Sequence, residues 1–185
     1  MVLTSSIIAS FLIALARGGR LRALKTLRFD GLHFLAGAIV LRILLILPPL
    51  QSFLVQGAVG DLRYGGLLYS GSLLLTLLSL LANVRLPGFR LVATGMAFNF
   101  LVIAANLGQM PGALDKITAA GFPGSNPERW SNFAVMNEDT RFWFLGDNFL
   151  IGYPWPLPSV ISFGDIVIIL GVFWFFQKAL APARA

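Results

Sequence analysis

Residues 64–83 read YGGLLYSGSLLLTLLSLLAN, and this stretch decides the fold class. It holds nine leucines and no charged group. A helix needs about 20 mostly apolar residues to cross a bilayer. One face differs from the rest. Gly65, Tyr69, Ser72, Thr76, Ser79 and Asn83 recur at alternating steps of four and three, which draws a polar stripe along one side of a helix. The stretch therefore reads as a helix in lipid with a seam for its neighbours. Small residues and hydroxyls are what such seams use.

Four further apolar runs lie outward from it, roughly 2–16, 31–48, 91–109 and 159–177. Together the runs predict an all-α integral membrane protein, one membrane domain over residues 1–185 with about five transmembrane helices. Composition agrees, with 57% hydrophobic and 12% charged residues. A soluble domain averages roughly 45–50% apolar and about 25% charged. The second polar face falls on run 91–109, with Gly95, Asn99 and Asn106. The first run carries Ser6, Ser10 and Ala14 at steps of four.

The net charge of +6 does not read as a nucleic-acid patch, because the basic residues sit at the ends of apolar runs. Nine of the fourteen lie in three places: Arg17, Arg20, Arg22, Lys25 and Arg28; then Arg85 and Arg90; then Lys178 and Arg184. The opposite connections hold Arg63, Lys116, Arg129 and Arg141, beside six of the eight acids. Basic loops stay in the cytoplasm, so the N-terminus is expected outside and the C-terminus inside. Membrane lipids and a larger membrane complex are the expected partners, with no nucleic acid.

Segment 110–158 is expected to be an aromatic-rich extracytoplasmic cap between helices four and five. Its prolines and glycines punctuate it, yet its aromatics are too dense for a solvated linker. Within it, Pro127 to Phe144 reads as a short interfacial helix and Pro154-Trp155-Pro156 as extended chain. Trp130, Trp143 and Trp155 are expected to face the membrane or the helix bundle.

Two ionisable residues interrupt apolar runs, Arg42 and Asp165. A charge in hydrocarbon costs at least about 2.5–3.5 kcal/mol, and an opposite charge is the usual remedy. Counting depth along each run predicts one buried polar cluster of Arg42, Ser72, Asn99, Asn106 and Asp165. The blander reading has Asp165 cap the last helix with Ser162, while Arg42 snorkels. His33 reads as an interfacial residue, and no second histidine supports a haem or chlorophyll ligand. The loop acids Asp115, Glu128, Glu138, Asp139 and Asp147 lack calcium-loop spacing. With no cysteine, thiolate nucleophiles and Cys-ligated metals are excluded. Neither a Rossmann glycine fingerprint nor a phosphate loop is present, and no cofactor or metal is expected.

Several short pieces carry a resemblance. They are Arg17-Gly18-Gly19-Arg20-Leu21, Asn83-Val84-Arg85-Leu86-Pro87-Gly88, Gly108-Gln109-Met110-Pro111, Asn137 with Thr140, Leu145-Gly146-Asp147, Pro154-Trp155-Pro156 and Ser162-Phe163-Gly164-Asp165. In this order the chain resembles domain-of-unknown-function family 5317, small bacterial membrane proteins. That resemblance implies a bacterial inner-membrane location and brings no activity with it. Ile161-Ser162-Phe163-Gly164-Asp165, then Ile168 and Gly171, is also similar to the last signature of signal peptidase II, the lipoprotein signal peptidase. That likeness implies two aspartates working together at the outer membrane face, here Asp147 and Asp165. The chain departs from the pattern in having Ser162 where the signature has Asn, and no Arg after Asp147.

Three functions follow from these readings. The first is a non-enzymatic accessory or assembly subunit, or a binder of a lipid-like ligand, because no complete catalytic constellation is present. The second is an intramembrane aspartate-dependent hydrolase with catalytic Asp147 and Asp165. The third is a small transporter, against which stands the lack of inverted repeats and interrupted helices. The proximity of the two carboxylates separates the second from the others.

Overall fold

In the computed structural model, which describes residues 2–121, 133–152 and 158–181, helices form where the apolar runs lie. Helix α1 covers Val2–Ala16 and α2 covers Leu32–Ile46. Leu47 precedes a proline, which pushes it into extended backbone and ends α2. Pro48 then opens α3, Pro48–Gln56, at the one helical position where a missing N–H costs nothing. The axes of α2 and α3 meet at 86°. A small hairpin of β1 (Ala58–Val59) and β2 (Leu62–Arg63) leads into α4, Tyr64–Leu81.

Helix α5 spans Phe89–Ala105. It starts at Gly88, whose φ of +81° suits glycine and whose missing Cβ lets the backbone of Gly171 and Phe175 approach. Then follow β3 (Met110–Gly112), α6 (Leu114–Ala119), β4 (Phe133–Val135), a 3₁₀ turn at Trp143–Leu145, β5 (Asp147–Ile151) and β6 (Ser159–Ser162). Helix α7, Phe163–Ala179, closes the described chain. The four-stranded sheet has the order β4-β3-β5-β6; β3 runs parallel to β4 and β5, and β6 is antiparallel to β5.

The long helices pack in a row, α2 on α4, α4 on α5, α5 on α7 and α7 on α1. The core sits where α4 and α5 meet the sheet, at Leu73, Val102, Ile103, Met110 and Leu145. The opposite end gathers the basic segments. There Arg17 Nη1 donates to Gln177 Oε1 at 3.2 Å, the Arg20 amide donates to Leu180 O at 2.9 Å, and Arg85 pairs with Asp30 at 2.6 Å. Buried Asn83 joins the same end by accepting from the Asp30 amide at 2.9 Å and donating to its carbonyl at 2.7 Å.

The all-α, five-span bundle expected from the apolar runs is not what forms. The described residues make seven α-helices and two sheets. By length and composition only α4 is long and apolar enough to cross a bilayer, with a second span if α2 and α3 count as one bent helix. The apolar helices α1 and α5 have 15 and 17 residues. At about 1.5 Å per residue they reach roughly 22–26 Å, short of a core about 30 Å thick. The runs were longer than the helices for local reasons. Run 91–109 ends in the turn Leu107–Gly108, where φ is positive at both residues. Run 159–177 begins as strand β6 and becomes helical only at Phe163.

The cap is corrected in the same way. Phe133–Val135 is a strand and Trp143–Leu145 a single 3₁₀ turn, so no interfacial helix runs to Phe144. Trp143 is exposed. Trp130, Glu128, Arg129 and the Pro154-Trp155-Pro156 segment lie outside the described residues.

Candidate functional site

Strand pairing brings the site together. Asp147 opens β5 and Ser162 ends β6, and the two are register partners. Asp147 is also held against β3, through its pairing with Gly112 and the bond its carbonyl accepts from the Ala113 amide at 3.0 Å. Ser162 is the N-cap of α7 and Asp165 is its third residue, which form a capping box. Ser162 Oγ accepts from the Asp165 amide at 2.9 Å, and Asp165 Oδ2 accepts from the Ser162 amide at 3.2 Å. The box therefore places Asp165 beside the start of β5.

Asn99 on α5 completes the arrangement. Its Nδ2 donates to Asp165 Oδ1 at 2.8 Å, and its Oδ1 accepts from Ser162 Oγ at 2.9 Å. Ser162 is fully buried, with its hydroxyl used both as donor and as acceptor. Glycine makes this approach possible. A Cβ on Gly164 would overlap Asn99 Oδ1 and the Gly95 carbonyl, and one on Gly95 would meet the Gly164 carbonyl and Ile168.

The Asp147 carboxyl feels its burial and its neighbour Asp165. Burial pushes the Asp147 carboxyl up to about 8, and the negative charge of Asp165 adds to the rise. Asp147 therefore holds a proton at neutral pH, while both oxygens of Asp165 accept hydrogen bonds. Both side chains are only half-buried. A protonated acid beside a hydrogen-bonded carboxylate is the arrangement that lets one group donate a proton while the other takes one.

The other residues of the expected cluster stand elsewhere. Arg42 Nε donates to Ser72 Oγ at 2.9 Å, and its guanidinium lies 4.5 Å over the Tyr69 ring. Asn106 caps α5 and braces the loop instead: its Nδ2 donates to Arg141 O at 2.8 Å and its Oδ1 accepts from the Arg141 amide at 3.0 Å. Arg42 thus meets Ser72, and Asn99 meets Asp165, but among the described residues no ion pair joins Arg42 to Asp165. The row of helices explains the separation, since α4 and α5 stand between α2 and α7. Sequence reasoning missed the Asn99–Ser162 bond, although Ser162 with Asp165 three residues later was a readable cap. His33 is exposed, with its ring 4.1 Å from Phe34. Among the described residues no three His, Asp or Glu gather as a metal site. A cavity of about 390 Å³ lined by Arg85, Pro87, Arg90, Leu91 and Trp174 lies at the basic end, away from the aspartates.

Comparison with known proteins adds a family and no activity. An uncharacterized protein of Thermotoga maritima is 31% identical over 94 residues, covering 51% of this chain and 53% of that protein. The match therefore spans about half the length of that relative. No solved structure matches. The family of unknown function DUF5317 matches residues 26–177, most of the sequence, and the chain belongs to that family.

Proposed function

We propose that the protein is a membrane-embedded hydrolase in which Asp147 and Asp165 act as an acid–base pair. The observation that carries this reading is the strand register that sets Asp147 beside the α7 capping box that holds Asp165; burial and the nearby Asp165 raise the Asp147 carboxyl in support of it. In hydrolysis, Asp165 takes a proton from water as that water attacks a carbonyl carbon, and Asp147 gives its proton to the leaving group. Transfer of the proton from Asp165 back to Asp147 restores the pair. Asn99 and Ser162 orient the base.

The rim suggests the substrate class. Phe142, Trp143, Phe144, Phe149 and Phe163, on the turn before β5, on β5 and at the start of α7, are all exposed, which suits a substrate carrying a lipid chain. The likeness to signal peptidase II around Asp165 points the same way. Exposed aliphatic side chains on α1 and α2, among them Ile8, Leu12, Val40 and Ile46, support residence in a membrane. The basic end then faces the cytoplasm and the aspartates the outer side.

The test uses the purified full chain in mild detergent with a synthetic peptide bearing a diacylglyceryl cysteine, read by mass spectrometry. Wild type should cleave it, and Asp147→Asn and Asp165→Asn should each lose about 10²–10⁴-fold, the usual contribution of a positioned acid or base. Equal turnover in all three, or no turnover in wild type, would overturn the assignment. Orientation has its own test, since the chain has no cysteine. A cysteine at Asp139 should react with an impermeant label on intact cells, and one at Arg22 should not; the reverse pattern would invert the topology.

A further inference from the structure

We propose that Arg42 is a docking site for the phosphate of an anionic glycerophospholipid whose acyl chains lie along the outer face of α2. The inference rests on the membrane residence proposed above and is independent of the aspartate pair.

Arg42 is exposed yet held in place. Its Nε is bonded to Ser72 Oγ, and Ser72 is itself fully buried and donates onward to the Tyr69 carbonyl at 2.7 Å. The Tyr69 ring covers one face of the guanidinium. Two sides of the group are thus fixed. Among the described residues no hydrogen bond or ion pair engages its two terminal nitrogens. Such a planar fork matches two phosphate oxygens at once.

The surroundings select a lipid over a free anion. Ile39 and Ile46, one turn to either side of Arg42 on α2, are strongly exposed, so a fixed cation stands within an aliphatic surface. Only an anion attached to apolar chains complements both. Depth agrees. Arg42 lies four residues before the end of α2, and α3 leaves at 86°. With the bend at the membrane surface, Arg42 lies roughly 6 Å below that level at about 1.5 Å per residue. A long arginine side chain spans that distance to the phosphate layer.

The full chain in mild detergent is mixed with vesicles of phosphatidylcholine alone or doped with phosphatidylglycerol, and retained lipid is measured by native mass spectrometry. Wild type should retain phosphatidylglycerol in preference to phosphatidylcholine by roughly fivefold, the factor for one basic residue near an anionic surface. Arg42→Gln should abolish the preference, and Arg42→Lys, which keeps the charge without the fork, should fall between. If Arg42→Gln does not accumulate, Ser72→Ala carries the test by freeing the side chain and reducing the preference. Displacement of the lipid by inorganic phosphate would mark a free-anion site and overturn the proposal. An unchanged preference in the Arg42 variants would overturn it while leaving membrane residence intact. Recovery of the chain from cells without detergent would overturn both.

Discussion

Asp165 and Arg42 each place a charge in an apolar helix, and the two seams that hold them are built in opposite ways. The α5–α7 seam brings backbone against backbone. Gly95 meets Gly164, and seven residues along each helix Gly88 meets Gly171. The α2–α4 seam is filled by side chains, with Leu75 against the Gly37 position and Leu41 against Gly71. The first seam closes around Asp165 and satisfies it with Asn99 and Ser162. The second satisfies Arg42 only on the Ser72 and Tyr69 side. A seam without side-chain volume can bury a polar constellation at fixed geometry, and a side-chain seam leaves its charge facing outward.

Adding one carbon to each seam breaks or confirms this contrast most sharply. Gly164→Ala drives a Cβ into Asn99 Oδ1 and the Gly95 carbonyl. Its cost should reach at least the upper part of the ~1–3 kcal/mol range for overpacking, seen as poor accumulation or a lowered Tm in detergent. Gly71→Ala places its Cβ 3.4 Å from Leu41 Cδ1, an ordinary contact. It should be neutral or stabilising by up to about 1 kcal/mol, from the better helix propensity of alanine. Equal losses in the two variants would erase the distinction. Next in size is Asn99→Ala, which strips the Asp165 oxygen and the buried Ser162 hydroxyl of one partner each. It should lower stability by about 1–3 kcal/mol, measured by thermal unfolding in detergent.

These residues also show how far the sequence could be read. The long helices were legible because each lies within a long apolar run, and the Ser162–Asp165 cap because its spacing is local. The sheet was not. Met110-Pro111-Gly112 carries two loop-forming residues, yet it pairs as a strand with Phe133–Val135, a partner far away in sequence. β6 is four residues long and merges with the apolar run of α7, so in sequence the two read as one helix. Depth along its run groups Asn99 with Asp165, but its bond to Ser162 was not legible, because these partners lie 63 and 66 residues away. Asn106 shared that apparent face, but α5 ends at Ala105 and its side chain turns to the Arg141 backbone.

A smaller effect follows from pH. Asp147 binds its proton more tightly in the folded protein, at about 8, than at the ordinary 3.8. The folded state is thus favoured below 3.8, and that contribution is lost as pH rises through about 8. The Tm of wild type should fall across this window, and Asp147→Asn should flatten the curve. A profile identical in the two proteins would show that the fold does not hold the Asp147 carboxyl above its ordinary value. Smallest is Arg85→Ala at the basic end. Its bridge to Asp30 is half-exposed on both sides, so its loss should cost under about 1 kcal/mol in the same unfolding measurement.

The pairing of Asp147 with Asp165 is tested most directly by isotope-edited infrared titration of the Asp147 carboxyl in the intact protein. The C=O band of a protonated acid should persist at neutral pH and disappear with a midpoint near 8. In Asp165→Asn the midpoint should move down, because one cause of the rise is gone, and remain above the ordinary value, because burial is the larger cause. A wild-type midpoint near 3.8, or one that Asp165→Asn leaves unmoved, would contradict the acid–base pair.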